Sequence, residues 1–172
     1  HNWITGLLPM LDQEERFDQI DFTFGVYAAE NAAVAETVPA PFRCAASEAT
    51  LAPNASTYAG VTSSLEQPIN ESGNGMMIQN RPLAPRDASD GTSFVFLIGE
   101  NASDLGLPTQ WNSGTRATLR TAGHSINETL TPETDPAFVG GFSSNHIGGA
   151  YFLFVDGSYR FLSDQTDLDL LQ

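Results

Sequence analysis

Apolar residues near the start of the chain recur at helical spacing. Ile4, Leu7, Leu8 and Leu11 follow the i, i+3, i+4, i+7 rhythm of one buried helix face. Pro9 falls inside this pattern, and proline is more comfortable in the first turn of a helix than in its middle. The pattern therefore predicts a helix over residues 9–19, with Leu11, Phe17 and Ile20 turned inward. Asp12, Glu14 and Glu15 then lie near its N-terminus, where the helix dipole favours negative charge. Residues 21–27 alternate like a strand, residues 28–36 are alanine-rich and helix-prone, and Pro39 and Pro41 end what precedes them.

Two short apolar runs carry the clearest β signal. Residues 93–98 are entered through Asp90-Gly91 and left through Gly99-Glu100. Residues 150–155 are closed by Asp156-Gly157, a turn pair that tolerates positive φ, so residues 159–162 should return as the antiparallel partner. Weaker strand candidates are residues 56–61 and 75–78. They sit in a stretch rich in Ser, Asn, Gly and Pro, and residues 101–145 are loop-rich as well. Residues 164–171 read as a short helix or tail. Helical stretches are confined to the N-terminal third and the extreme end, with no βαβ alternation. The class expected is α+β: an antiparallel sheet with an N-terminal helix packed on one face. At 172 residues the chain is long enough for one domain with a sizeable core.

Composition narrows the partners. The formal charge is −14, and the seven basic residues are all arginines. Such a field repels nucleic acid and anionic lipid, which excludes both as partners. It also keeps the molecule soluble in strong salt. No apolar run approaches the ~20 residues needed to span a bilayer, so no membrane insertion by this chain is expected. Cys44 has no second cysteine to pair with, and its bland reading is a small buried apolar residue. The chain begins at His1 rather than a methionine, and a segment removed or never built upstream is the expectation.

Candidate chemistry centres on His146, in a glycine-rich loop with Gly148 and Gly149. Asp156 is its obvious carboxylate partner, but the intervening strand separates them by roughly 20 Å. The expectation is that His146 hydrogen-bonds loop backbone while Asp156 serves the turn with Gly157. His1 and His124 have no partner at a metal-like spacing. Ser93 and Ser143 lack a nucleophile elbow, and neither glycine pair forms a phosphate loop. No cofactor is expected. Calcium is the ion held open, through Asp164, Asp167 and Asp169 near the end or Asp87 and Asp90 beside a turn. Asn54, Asn70, Asn101 and Asn127 each head an Asn-x-Ser/Thr acceptor pattern in expected loops, as candidate glycosylation sites.

Four blocks, in order, resemble the planctomycete-type family of pilin-like proteins. They are residues 3–21, with Leu-Leu-Pro-Met-Leu-Asp-Gln; Phe42-Arg43-Cys44 followed by Thr57-Tyr58-Ala59-Gly60-Val61; Asp90-Gly91-Thr92-Ser93 through Gly99-Glu100; and residues 146–162, with a histidine, nine residues and Asp-Gly. The similarity covers nearly the whole chain. Two departures stand out. Family members usually carry a long apolar helix before the tryptophan block, whereas this chain starts at His1; and proline typically follows the cysteine, where Ala45 stands here.

The resemblance implies the globular head of a type IV pilin or secretion pseudopilin, extracellular or displayed at the cell surface. His146, Gly148, Gly149, Asp156, Gly157, Asp90, Gly91, Gly99 and Glu100 are then structural signature residues. Its partners would be copies of itself or other pilin-like subunits, together with an apolar pilin helix supplied in cis before cleavage or in trans. A head without its helix should keep an apolar surface, for which Trp3, Leu7, Leu8 and Phe22 are candidates. The alternative is a cell-surface module that binds glycan or protein through loops 45–90 and 101–145. An enzyme ranks behind both, because no catalytic constellation is visible.

Overall fold

A computed structural model describes residues 1–47, 51–102, 110–114, 116–130 and 137–172. The N-terminal helical signal is real but broken into pieces. Helix α1 spans Trp3–Leu7, a 3-10 turn follows at Leu8–Leu11, and α2 spans Glu14–Asp18. The single helix expected over 9–19 does not form, because Asp12 adopts a left-handed conformation (φ 56°) and caps the turn. Leu11 is consequently exposed, whereas Ile20 is buried and Phe17 partly so. Asn2 starts α1 with a reciprocal capping box to Thr5, and its side-chain nitrogen lies 2.7 Å from the Trp111 carbonyl and 2.9 Å from that of Ser113.

Residues 21–27 form turns rather than the expected strand. The Asp21 carboxylate accepts from the Thr23 N–H at 2.9 Å, and the buried Asn31 side chain clasps both backbone groups of Asp21. Such local side-chain bonds offer the backbone an alternative to a ladder. The alanine-rich stretch yields only a 3-10 turn at Ala29–Asn31 and a short α3 at Ala32–Ala35.

Five strands make one sheet: β1 Tyr58–Ser63, β2 Phe96–Glu100, β3 Leu119–Thr121, β4 Gly149–Phe154 and β5 Tyr159–Ser163. Their spatial order is β3-β1-β2-β4-β5. The β4–β5 hairpin forms where Asp156-Gly157 placed it, and β2 with β1 and β4 supplies further antiparallel pairs. The class is α+β, with one refinement: the sheet is mixed, since β3 pairs parallel to β1. The chain reverses between β1 and β2 and again between β2 and β3, so β3 must run parallel when it docks on the open edge of β1. Residues 75–78 lie along β1, with the Gly75 and Met77 N–H groups donating to Thr62 and Val61 carbonyls, but form no strand. The last segment is a 3-10 turn at Leu168–Leu170.

Two apolar clusters hold these pieces. Ala59, Val61, Ile126, Phe142, Ala150, Phe152, Phe154 and Leu171 pack on the sheet. Ile4, Leu8, Ile20, Val34, Phe42 and Trp111 gather the N-terminal helices. The Trp3 indole N–H donates to the Thr118 carbonyl at 3.0 Å, tying α1 to the entry of β3. Among the described residues, no helix is long and apolar enough to cross a membrane.

Candidate functional site: a Cys-Glu-His cluster at the end of the central strands

Strand pairing brings the chemistry together. Tyr58 at the start of β1 lies opposite Glu100 at the end of β2, and β4 flanks β2 on its other side. The loop entering β4 carries His146 over this corner, and the loop after the turn at Ala40–Phe42 brings Cys44 to it. His146 Nε2 lies 3.3 Å from Glu100 Oε1 and 3.5 Å from Cys44 Sγ. The three donor atoms all lie within 4.8 Å of one another.

Each member is held from behind. Glu100 is only 3% exposed, and its second oxygen accepts from the Tyr151 N–H at 2.8 Å. The Cys44 N–H donates to Thr57 Oγ1 at 2.6 Å, and Cys44 Sγ accepts from the Ala46 N–H at 3.4 Å. Arg43 staples the same loop by donating to the Ala52 carbonyl at 2.9 Å and the Leu51 carbonyl at 3.1 Å. His146 is partly buried, with its ring edge-on to Tyr151 at 5.3 Å between centroids. Burial first, then the charges of Cys44 and Glu100, push the Tyr58 phenol up to about 12, so it stays protonated beside them. A cavity of about 10 Å³ adjoins Cys44, Glu100, Ser144 and Asn145, with room for one water-sized occupant.

Two expectations are corrected here. The imidazole of His146 does not spend itself on loop backbone, because the strand order places Glu100 within its reach. Cys44 is not a plain apolar filler, because its sulfur faces that imidazole. Sequence reasoning held all three residues in its motif blocks without joining them. The available signal was that Cys44 stands inside the second block, Glu100 ends the third and His146 begins the fourth.

The other residues that the resemblance marked serve the backbone. Gly91, Gly148 and Gly157 have positive φ, and Asp90-Gly91 forms part of the turn leading into β2. Gly99 lets β2 approach Phe142 and Phe152, since a Cβ there would sit 2.6 Å and 2.7 Å from their rings. Asp156 accepts from both the Ser158 N–H at 2.8 Å and its hydroxyl at 2.6 Å. These bonds, with a further one from Ser93, hold its carboxyl down at about 2. A depressed folded-state value means the turn is favoured above the ordinary carboxylate range and loses that support as pH falls through about 2. The melting-temperature gap between wild type and Asp156→Asn should thus be constant above neutral pH and close at strongly acid pH. A gap that persists unchanged there would count against this origin.

The candidate apolar surface is only partly present. Leu8 is fully buried within its own chain, because it plugs the N-terminal cluster, and so cannot serve as an outside contact. Trp3 and Leu7 pack partly against that cluster, whereas Phe22 is half exposed beside His1 and Phe17. Among the acceptor asparagines, Asn101 is 6% exposed and its N–H donates to the Thr57 carbonyl, so a glycan has no access to it in the folded chain. Its companion Ser103 lies outside the described residues, as do parts of loop 101–145. Asn54 and Asn127 are partly buried, and the Asn127 side chain accepts from the Ser144 N–H. Asn70 is exposed. The calcium candidates do not converge among the described residues: Asp87 accepts from the Ala84 N–H, and Asp167 caps the final 3-10 turn.

No curated protein and no solved structure matches the chain. A family model described as "Protein of unknown function (DUF1559)" matches residues 1–169. With nearly its whole length covered, the chain belongs to that family, one of planctomycete-type pilin-like proteins.

Proposed function

We propose that this chain is the displayed head of an extracellular pilus-like or pseudopilus filament, acting through non-covalent contacts with copies of itself or other pilin-like subunits. The observation that carries this reading is the outer face of the β4–β5 hairpin, at one end of the sheet. Tyr159 is 75% exposed, and Tyr151 and Phe161 are both open to solvent. Tyr151 and Phe161 are cross-strand partners with rings 5.1 Å apart, and the Tyr159 ring lies 6.2 Å from that of Tyr151. An aromatic patch on an edge hairpin is a liability in an isolated soluble protein and an asset in an assembling one. Family membership adds support. In this reading an apolar pilin helix, in cis or in trans, anchors the head, which turns nothing over.

Immunogold electron microscopy of material sheared from producing cells tests the proposal. Labelled regular fibres are expected, with labelling lost in a Tyr159→Glu, Phe161→Glu double variant. Only dispersed monomers from wild type would sink it. A second reading draws on a cavity of about 670 Å³ lined by Asn74, Arg81 and Asp87 of loop 45–90 and by Phe94 just beyond it. Such a mix of polar and aromatic groups suits a sugar, and capture of a polysaccharide on an array by a persistent monomer would favour a binding module.

A further inference from the structure

The donor geometry of Cys44, Glu100 and His146 carries a further inference, independent of filament assembly. A Cys-His-Glu set invites comparison with a nucleophile triad, but the arrangement here is different. In a triad the histidine uses one ring nitrogen for the nucleophile and the other for the acid. Here both contacts converge on Nε2 alone. Three donors aimed at one another rather than along a line describe a point that a cation would occupy.

The spacings agree with that. A tetrahedral zinc bonded at ~2.3 Å to sulfur and ~2.0 Å to nitrogen and oxygen holds such donors ~3.3–3.6 Å apart. The observed separations from Nε2 are 3.3 Å to the carboxylate and 3.5 Å to the sulfur. Thiolate, imidazole and carboxylate together favour zinc over calcium or magnesium, which prefer oxygen alone. Two anionic ligands match a divalent charge. The outer contacts also fit: the Tyr151 N–H on Glu100 and the Ala46 N–H on Cys44 orient the ligands from behind. The adjoining cavity of about 10 Å³ accommodates a single water as the fourth ligand.

We propose that Cys44, Glu100 and His146 form a zinc-type divalent metal site, which clamps the Cys44 loop and the His146 loop onto the end of β2. The three ligands come from distant parts of the chain, so the metal staples the centre of the sheet to both loops. The signature then divides cleanly: its histidine binds metal, its Asp-Gly turns the hairpin, and the nine residues between are mostly the strand joining them.

Cobalt(II) added to the purified, chelator-treated chain tests this. A single cobalt per chain with a sulfur-to-cobalt charge-transfer band in the near ultraviolet is expected, displaced by zinc. Zinc should also raise the melting temperature. Cys44→Ser should abolish the band, and His146→Ala, which removes a direct ligand, should weaken binding by more than the ~100-fold that loss of an outer-shell partner costs at most. X-ray absorption at the zinc edge of the wild-type protein needs no variant, and should show one sulfur among nitrogen and oxygen neighbours. A zinc shell without sulfur, binding that survives both substitutions, or a folded wild type that takes up no cobalt overturns the proposal.

Discussion

Gly149→Ala should destabilise the protein by about 3 kcal/mol or more, while the same change at the adjacent Gly148 costs about 1 kcal/mol. The contrast comes from what each new methyl group would meet. A Cβ at Gly149 lies 2.0 Å from the Leu162 carbonyl oxygen and 3.0 Å from the Phe161 ring. That oxygen belongs to backbone held in register, with Gly149 opposite Ser163 and Ala150 opposite Leu162. It cannot retreat without opening the β4–β5 ladder. Gly148 has a positive φ of 82° but open space around it, so alanine there is strained without being blocked. Urea denaturation of the two variants is the measurement. Equal losses, or a larger loss at Gly148, would show that the close approach does not govern this corner.

Glu66→Ala should cost about 3 kcal/mol, and Glu66→Gln distinctly less. The Glu66 carboxylate accepts from the Val139 N–H at 2.7 Å, the Gly140 N–H at 3.1 Å and the Thr121 hydroxyl at 2.9 Å. His124 Nε2 adds a fourth contact at 3.0 Å, and its Nδ1 faces Glu128 at 3.5 Å. One side chain therefore ties the chain after β1 to the end of β3 and to residues 139–140. Removing it leaves buried backbone donors without acceptors, which is dearer than losing a bond at the surface. Glutamine keeps one oxygen and most of the volume, so it retains part of the node. Wild-type stability in the alanine variant would mean that these donors find water instead.

The strands that could be read from sequence were those whose turns announced them. Asp156-Gly157 marked the hairpin, and the Asp90-Gly91 and Gly99-Glu100 pairs bracketed β2 to within a few residues. The N-terminal helix was misplaced because Asp12 in a left-handed conformation is a local decision that periodicity does not register. The alternation over 21–27 was outweighed by the Asp21 turn and by Asn31, ten residues away. The parallel pairing of β3 had no signature, since it depends on which edge of β1 the chain finds open. The site was hidden for the same reason. Cys44, Glu100 and His146 become neighbours only through the strand order, while the sequence offered His146 a nearer but unreachable carboxylate in Asp156.

The placement of β1 also governs how this chain can fold. Its two strand partners are β2, some forty residues later, and β3, about sixty residues later, so its ladder waits on distant chain, and only the Gly75 and Met77 N–H bonds to Thr62 and Val61 lie closer in sequence. A chain emerging N-terminus first must leave Ala59 and Val61 unsealed until much of the molecule has been made, and Phe152 reaches them later still. Consolidation of the sheet is therefore late, because its long-range pairings wait on loop closure. Until then its apolar strand faces stay open to solvent, the stage at which a chain of this topology is most prone to stick to its neighbours.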